Sequence, residues 1–239
     1  MTSRLFWASG AFLFILAISM PAFAHGVHSH DQDFITGASG AHPFPFMYLG
    51  AKHMVTGYDH LAYLAGVIFF LSKVKDVFKF VSLFAVGHSI TLLLGVMAGI
   101  DVNPYLVDAI IGLSVCYKAL ENLRVFNAQR GPFIKPELAV FGFGLIHGFG
   151  LSSKLQDLEL SPDGLIINML SFNLGVEIGQ IIALIFLLGL FFGLRSLRNF
   201  ERIAIWVNMI LFAAGLVLFG LQITGFFVCL LYTSDAADE

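Results

Sequence analysis

Charge and cysteine are both scarce in this chain of 239 residues. Charged residues make up 12% of it, whereas a soluble domain carries about 25%, so an ordinary soluble fold is excluded. Only two cysteines are present, Cys116 and Cys229, which excludes a disulfide framework. The net charge of −3 and the lack of a basic stripe exclude a nucleic-acid partner. A P-loop is also absent, so ATP would drive this protein only through another subunit.

Apolar sequence, in contrast, is abundant. Hydrophobic residues make up 58% of the chain, and the mean hydropathy is +0.86. Hydrophobic runs of membrane-spanning length lie at about 46–72, 77–100, 105–125, 137–158, 164–193 and 203–228. The predicted fold class is therefore an all-α membrane protein, with six transmembrane helices in a domain at 46–228. Residues 229–239 change character abruptly, and we interpret them as a non-native tail.

The N-terminal segment has the features of a secretory signal peptide. Arg4 supplies its positive charge, residues 5–20 form a short apolar stretch, and an A-x-A cleavage site ends at Ala24. An uncleaved first transmembrane helix is the alternative. Cleavage would remove 1–24 and leave residues 25–45 as an external, histidine-containing leader.

The positive residues predict how the helices are oriented. Without the signal peptide the first helix starts outside, and lysine and arginine should then collect at the inside ends. Nine of them do so, against Lys52 and Lys154 at the outside ends. The nine are Lys73, Lys75, Lys79, Arg124, Arg130, Lys135, Arg195, Arg198 and Arg202. We expect a multi-pass protein of the bacterial inner membrane with both termini external.

A weak internal similarity divides the domain into two halves. Residues 57–60 resemble 144–147, and residues 84–90 resemble 172–178. With three helices in each half, the halves would run in opposite directions, as in many transporters whose substrate site lies at the midplane. The pattern predicts two inverted three-helix repeats.

The most informative residues are the histidines. His53, His60, His88 and His147 lie inside hydrophobic runs, where an imidazole is costly and usually functional. The external leader adds His25, His28 and His30, which we expect to capture a divalent ion outside. Together they suggest a path for a metal ion; the alternative is that each imidazole only bonds a neighbouring helix.

In the first predicted helix, His53 and His60 share one helical stripe. An unbroken helix separates them by about 10 Å along its axis, so two stations on one path are the simpler expectation. A break near Gly57 would instead allow both to hold one ion. Asp59 should point about 100° away from His60 on a regular helix.

Other polar residues at membrane depth extend the candidate site. Glu177 needs a cation, a proton or a hydrogen-bond partner there, although a protonated carboxyl that ties helices together is the alternative. The predicted secondary pathway residues are Asn173, Gln180, Ser89, Thr91, Glu121 and Asn122. Imidazole and carboxylate without thiolate suit Ni²⁺, Co²⁺, Zn²⁺ or Cu²⁺.

Four motifs in this sequence resemble those of the HupE/UreJ family, and its second branch most closely. They are His53-x-x-x-Gly57-x-Asp59-His60, Gly87-His88-Ser89-Ile90-Thr91-Leu92, Phe143-Gly144-Leu145-Ile146-His147-Gly148 and Ser171-Phe172-Asn173-x-Gly175-Val176-Glu177-x-Gly179-Gln180. The family is regarded as nickel or cobalt permeases that serve hydrogenase and urease maturation. The resemblance implies His53, Asp59, His60, His88, His147 and Glu177 as metal ligands.

The function we expect is inward transport of a divalent transition-metal ion, nickel or cobalt, through a midplane site of histidine, aspartate and glutamate. The protein is then not an enzyme. A membrane-embedded metalloenzyme and a b-type haem protein are the alternatives. Expected partners are the metal ion, the lipid bilayer, and either a second copy of the chain or a metal-enzyme maturation system.

Overall fold

A computed structural model describes residues 35, 38–71, 73–125, 134–157 and 161–235. Within these residues the chain forms seven α-helices and no strand. The helices are α1 Pro43–Thr56, α2 Tyr58–Ile68, α3 Val74–Ala98, α4 Pro104–Asn122, α5 Pro136–Gln156, α6 Leu165–Arg195 and α7 Phe200–Asp235. The predicted all-helical fold is confirmed for this part of the chain; the signal peptide and the leader histidines His25, His28 and His30 lie outside it.

Local sequence explains where several helices begin and end. α1, α4 and α5 each start with a proline, whose fixed φ suits the first turn and whose missing N–H has no partner to lose there. The Asn103 side chain caps α4 by accepting bonds from the backbone N–H groups of Tyr105 and Leu106. Gly99 ends α3 in the left-handed conformation, φ 64°.

The hydrophobic run at 46–72 predicted one transmembrane helix. The structure corrects this, because two helices, α1 and α2, occupy that region. α1 ends at Thr56, and Gly57 adopts φ −73° and ψ 95° before α2 begins at Tyr58. The Gly57 N–H still donates to the His53 carbonyl at 2.8 Å, and its own carbonyl accepts from Leu61 at 3.0 Å. The chain therefore bends at one residue without losing these backbone hydrogen bonds.

Among the described residues, four helices are long and apolar enough to cross a membrane: α3, α5, α6 and α7 as far as Leu230. α1 and α2 are individually too short, with 14 and 11 residues. α4 has 19 residues but carries Asp108, Lys118 and Glu121. Six membrane crossings thus remain a prediction, which requires α1 and α2 to act as one span and α4 to cross as well.

The helices pack mainly in three pairs, α1 with α6, α3 with α5 and α4 with α7. Glycines lie where the helices of each pair approach. A Cβ at Gly112 of α4 would lie 2.8 Å from the backbone nitrogen of Phe219, and one at Gly215 of α7 would lie 2.7 Å from the Gly112 carbonyl oxygen. Small residues permit such contact between membrane helices, where van der Waals packing contributes strongly to association.

The α1·α6 and α3·α5 pairs are built alike. Gly50 faces the Phe172 carbonyl across the first pair, and Gly144 faces the Phe84 carbonyl across the second. This packing aligns Gly144 with Gly50, not with Gly57 as the internal similarity predicted. His53 and His147 consequently occupy matching places, each three residues after the contact glycine.

Side-chain contacts define two ends of the helix bundle. At the end that we call the Asn168 end, the Asn168 amide donates to the Gly40 carbonyl at 2.9 Å, and the Lys154 ammonium binds the Asp108 carboxylate at 2.8 Å. Gln156 donates to the Ile100 carbonyl nearby, at 3.1 Å. This end therefore joins the starts of α1, α4 and α6 to the ends of α3 and α5.

The opposite end, which we call the Arg195 end, joins the ends of α2, α4 and α6 to the starts of α3, α5 and α7. Arg195 donates to the Ile68 carbonyl at 3.2 Å, and the Lys79 ammonium binds Glu137 at 2.7 Å. Asn122 donates to the Asn208 amide oxygen at 2.8 Å. With α1 and α2 taken together, successive segments thus run alternately between the two ends.

Candidate metal centre

Four histidines from four helices form one buried group, the imidazole cluster: His53 of α1, His60 of α2, His88 of α3 and His147 of α5. Their exposed fractions are 9%, 0%, 1% and 0%. His60 is central, with its ring centroid 5.1 Å from that of His53, 5.6 Å from that of His88 and 5.0 Å from that of His147. The structure therefore brings together all four histidines that the hydrophobic runs contain.

The bend at Gly57 is what places His53 against His60. The two-station expectation, with about 10 Å between them on a regular helix, is wrong for this structure, because their ring centroids are only 5.1 Å apart. The alternative, a break near Gly57, is the arrangement observed. The two rings are edge-on, with an interplanar angle of 80°.

Three of these imidazoles are close enough to share an ion. One ring nitrogen from each of His53, His60 and His88 lies within 4.8 Å of the others. Nitrogen ligands bind such ions at about 2.0–2.1 Å, so two ligands on opposite sides of one ion are about 4 Å apart. Movements of less than an ångström would complete a three-nitrogen site, and His147 borders it through His60.

Asp59 supplies a carboxylate beside the central ring. Its Oδ1 lies 3.2 Å from His60 Nδ1, and its side chain is 1% exposed. The expectation that Asp59 points away from His60 is corrected, because the carboxylate reaches the neighbouring ring in the first turn of α2. A ring that donates Nδ1–H to Asp59 keeps its lone pair on Nε2 for a metal, as in carboxylate–histidine–metal groups.

His147 is oriented by the backbone in a similar way. Its Nδ1 lies 2.7 Å from the Phe143 carbonyl oxygen. A carbonyl only accepts hydrogen bonds, so His147 Nδ1 must donate and Nε2 carries the lone pair. The Thr91 hydroxyl donates to the Leu145 carbonyl at 2.7 Å and binds α3 to α5 at this level. The close packing of α3 and α5 thus holds His88 and His147 in one layer.

The polar stripe of α6 has a different position. Glu177 is exposed, so its carboxylate lies outside the buried cluster. Asn173 is partly buried, and Gln180 is buried and donates to the Val81 carbonyl of α3 at 3.3 Å. Gln180 thus links α6 to α3 through a hydrogen bond.

The remaining predicted pathway residues are also placed away from the cluster or bonded within the fold. Ser89 donates to the Ala85 carbonyl of its own helix at 2.7 Å. Asn122 donates to the Gly66 carbonyl at 2.8 Å, and Glu121 forms an ion pair with Lys118 at 2.9 Å. The Asn122 and Glu121 contacts lie near the Arg195 end.

One buried charge pair was missed in the sequence. Asp108 is 3% exposed and binds Lys154 at 2.8 Å. Lys154 follows His147 by seven residues, so the two side chains share one face of α5. An aspartate inside the hydrophobic run at 105–125 was the available signal, because a carboxylate at membrane depth usually has a partner.

A family model described as HupE / UreJ protein matches residues 29–230. The chain belongs to the HupE/UreJ family. The resemblance of its four motifs is thereby confirmed, and the matched region contains every described residue of the imidazole cluster. Members of HupE/UreJ are membrane proteins related to nickel and cobalt, of a transporter or accessory type. No match to the chain was found among curated proteins or solved structures.

Proposed function

We propose that this HupE/UreJ protein transports a divalent transition-metal ion, nickel or cobalt, inward across the bacterial inner membrane. The observation that carries the proposal is the imidazole cluster, in which His53, His60, His88 and His147 meet beside the Asp59 carboxylate. Four separate helices contribute these groups, so the centre would change when the helices move. Movement of this kind is what release of an ion requires.

The chemistry of the cluster suits a partly dehydrated divalent ion. Neutral imidazoles replace water as ligands, and the single carboxylate offsets part of the ion's charge in a medium of low dielectric constant. Imidazole and carboxylate favour Ni²⁺, Co²⁺, Zn²⁺ and Cu²⁺ over Mg²⁺. Membership of HupE/UreJ favours nickel and cobalt within this group.

The position of the cluster supports a site near the middle of the membrane. His88 and His147 lie near the centres of α3 and α5, two of the four apolar helices long enough to cross. The matching α1·α6 and α3·α5 packing supports two inverted repeats, with α1 and α2 acting as one of six spans. Transporters with such repeats bind substrate between the halves.

The charges support inward transport towards the Arg195 end. Basic residues collect there, as expected for a cytoplasmic face. Those described near it are Lys73, Lys75, Lys79, Arg124, Lys135, Arg195, Arg198 and Arg202. A doubly charged ion moving inward gains about 4.6 kcal/mol per 100 mV of inside-negative potential.

Two further parts of the predicted path belong to the proposal. We retain the leader histidines His25, His28 and His30 as an external capture site. Glu177 is retained as a pathway residue on the exposed side of α6, and Glu177→Gln is expected to abolish uptake. Its part in uptake would then be distinct from ligation in the cluster.

Uptake into proteoliposomes tests the proposal, with Ni²⁺, Co²⁺, Zn²⁺ and Cu²⁺ compared and the metal content of the protein measured. We expect His60→Ala to abolish uptake, because an ion in low dielectric has no substitute for a lost ligand. His42→Ala is the matched control, since His42 bonds the Ser39 carbonyl at the Asn168 end. Normal transport by His60→Ala would overturn the proposal.

The same preparations separate the alternatives. A metalloenzyme would keep its ion through purification and dialysis, whereas a transporter must release it. A haem protein would be red and show a Soret band. Either result, without uptake of any of the four ions, would replace transport as the function.

A further inference from the structure

Three helices carry a similar series of side chains along the path from the imidazole cluster to the Arg195 end. Each carries a histidine, then an aromatic residue about one turn away, then a residue that lines a cavity. These sets are His60, Tyr63 and Val67 on α2, His88, Phe84 and Phe80 on α3, and His147, Phe143 and Val140 on α5. The i, i+3 or i+4 spacing keeps each set on one face of its helix.

The middle residues, Tyr63, Phe84 and Phe143, form a layer of rings that we call the aromatic layer. The Tyr63 ring centroid lies 5.6 Å from that of Phe84 and 5.4 Å from that of Phe143. The layer also contacts the cluster, with the His147 centroid 5.6 Å from Tyr63 and 5.0 Å from Phe84. Tyr63 and Phe84 are only 2% and 3% exposed.

Beyond the aromatic layer is a cavity of about 190 Å³. Its wall includes Tyr63 together with Tyr117, Lys118 and Glu121 of α4. A single water needs only about 10–15 Å³ of such a cavity, so several waters fit. These residues bring phenol, ammonium and carboxylate groups to a wall that is otherwise mostly apolar.

We propose that this cavity is the release site for the ion, and that Tyr63 closes the passage from the imidazole cluster to it. The inference rests on the transport function proposed above. Tyr63 is the one member of the aromatic layer that both contacts His147 and lines the cavity. Movement of its ring connects the two compartments, and an aromatic face tolerates a passing cation.

In the cavity the ion regains the water ligands that it lost in the imidazole cluster. Water enters from the Arg195 end, and Glu121 supplies a carboxylate whose side chain is 20% exposed. Lys118 pairs with it at 2.9 Å and is the resident cation that an arriving ion competes with. The ion therefore moves from imidazole ligands to water and carboxylate, which bind it less tightly.

The release rate of Co²⁺ from purified protein into excess chelator tests the role of Tyr63. We expect Tyr63→Ala to release Co²⁺ faster by roughly tenfold or more, while Tyr63→Phe, which keeps the ring, releases it at the wild-type rate. Phe172→Ala is the matched control. The Phe172 ring also borders the cluster, with its centroid 6.1 Å from that of His53, but it belongs to α6 and not to the aromatic layer. An unchanged rate in Tyr63→Ala, or an equal acceleration in Phe172→Ala, would refute the inference.

Thiol labelling tests the cavity without any metal. In a chain with Cys116 and Cys229 replaced by serine, Ala139→Cys places a thiol in the cavity wall. We expect a small, charged, membrane-impermeant reagent to label it in inside-out vesicles and not in right-side-out vesicles. Val86→Cys is the control, since Val86 is 52% exposed on the apolar outer face of α3 and should resist the charged reagent.

The outcomes separate the two proposals. A wild-type protein that fails to bind or transport any ion refutes the transport function, whatever the labelling shows. Binding and transport by the wild type, with Ala139→Cys unlabelled in inside-out vesicles or labelled from the opposite side, refutes the release site alone. Labelling from the Arg195 side together with fast release in Tyr63→Ala supports both.

Discussion

The bend at Gly57 offers the sharpest test of how the imidazole cluster is built. Substitution by alanine adds one methyl group at Gly57, the residue that separates α1 from α2. That Cβ would lie 3.0 Å from the His53 carbonyl oxygen, 3.0 Å from His60 Nδ1 and 3.4 Å from Asp59 Oδ1. We expect Gly57→Ala to weaken Co²⁺ binding by the cluster.

Two effects determine how much the Gly57→Ala substitution weakens Co²⁺ binding. Alanine favours a continuous helix over glycine by about 1 kcal/mol, which shifts the equilibrium between bent and straight forms about fivefold. In the straight form His53 and His60 are about 10 Å apart along the axis and no longer share an ion. The helix preference alone therefore weakens binding by at most about fivefold. In the bent form the new methyl also crowds the His60 ring, which weakens binding further.

Titration of the purified protein with Co²⁺, followed by its visible absorption, measures the change. Gly142→Ala is the matched control, because a Cβ there has no atom within 4 Å. It should bind Co²⁺ as the wild type does and be at least as stable to heat. Wild-type affinity in Gly57→Ala would show that the bend does not hold the two histidines together.

Three further predictions concern packing, Glu177 and orientation. Gly175→Val should destabilise the protein by about 1–3 kcal/mol or more, because its Cβ would collide with the backbone of α1. Gly189→Val is the control, because a Cβ there meets open space. Equal thermal midpoints for the two variants would contradict the close packing of α1 against α6. Glu177→Gln should leave Co²⁺ titration of the cluster unchanged, because the side chain is exposed; weaker binding would place its carboxylate at the ion. Reporters should be cytoplasmic in the 127–136 loop and external in 156–163, and reversed signals would invert the topology.

The predictions from sequence were strongest where one residue type was costly in its surroundings. Histidine in hydrophobic runs identified His53, His60, His88 and His147, and all four meet in the structure. The hydrophobic runs also located helices α3 to α7 to within a few residues, except that α7 extends to Asp235. These features follow from local composition, because the cost of burying a polar group and the length of a span do not depend on which helices are neighbours.

The relative placement of these residues depended on the tertiary structure. Composition does not determine a helix's rotation about its axis, so the exposed position of Glu177 and the pairing of Asp108 with Lys154 became visible only in the fold. The bend at Gly57 likewise became visible only in the fold, because a glycine inside a hydrophobic run is also compatible with an unbroken helix. The tertiary structure alone shows that the ring centroids of His53 and His60 are 5.1 Å apart, and that the Tyr63 ring lies between the imidazole cluster and a cavity.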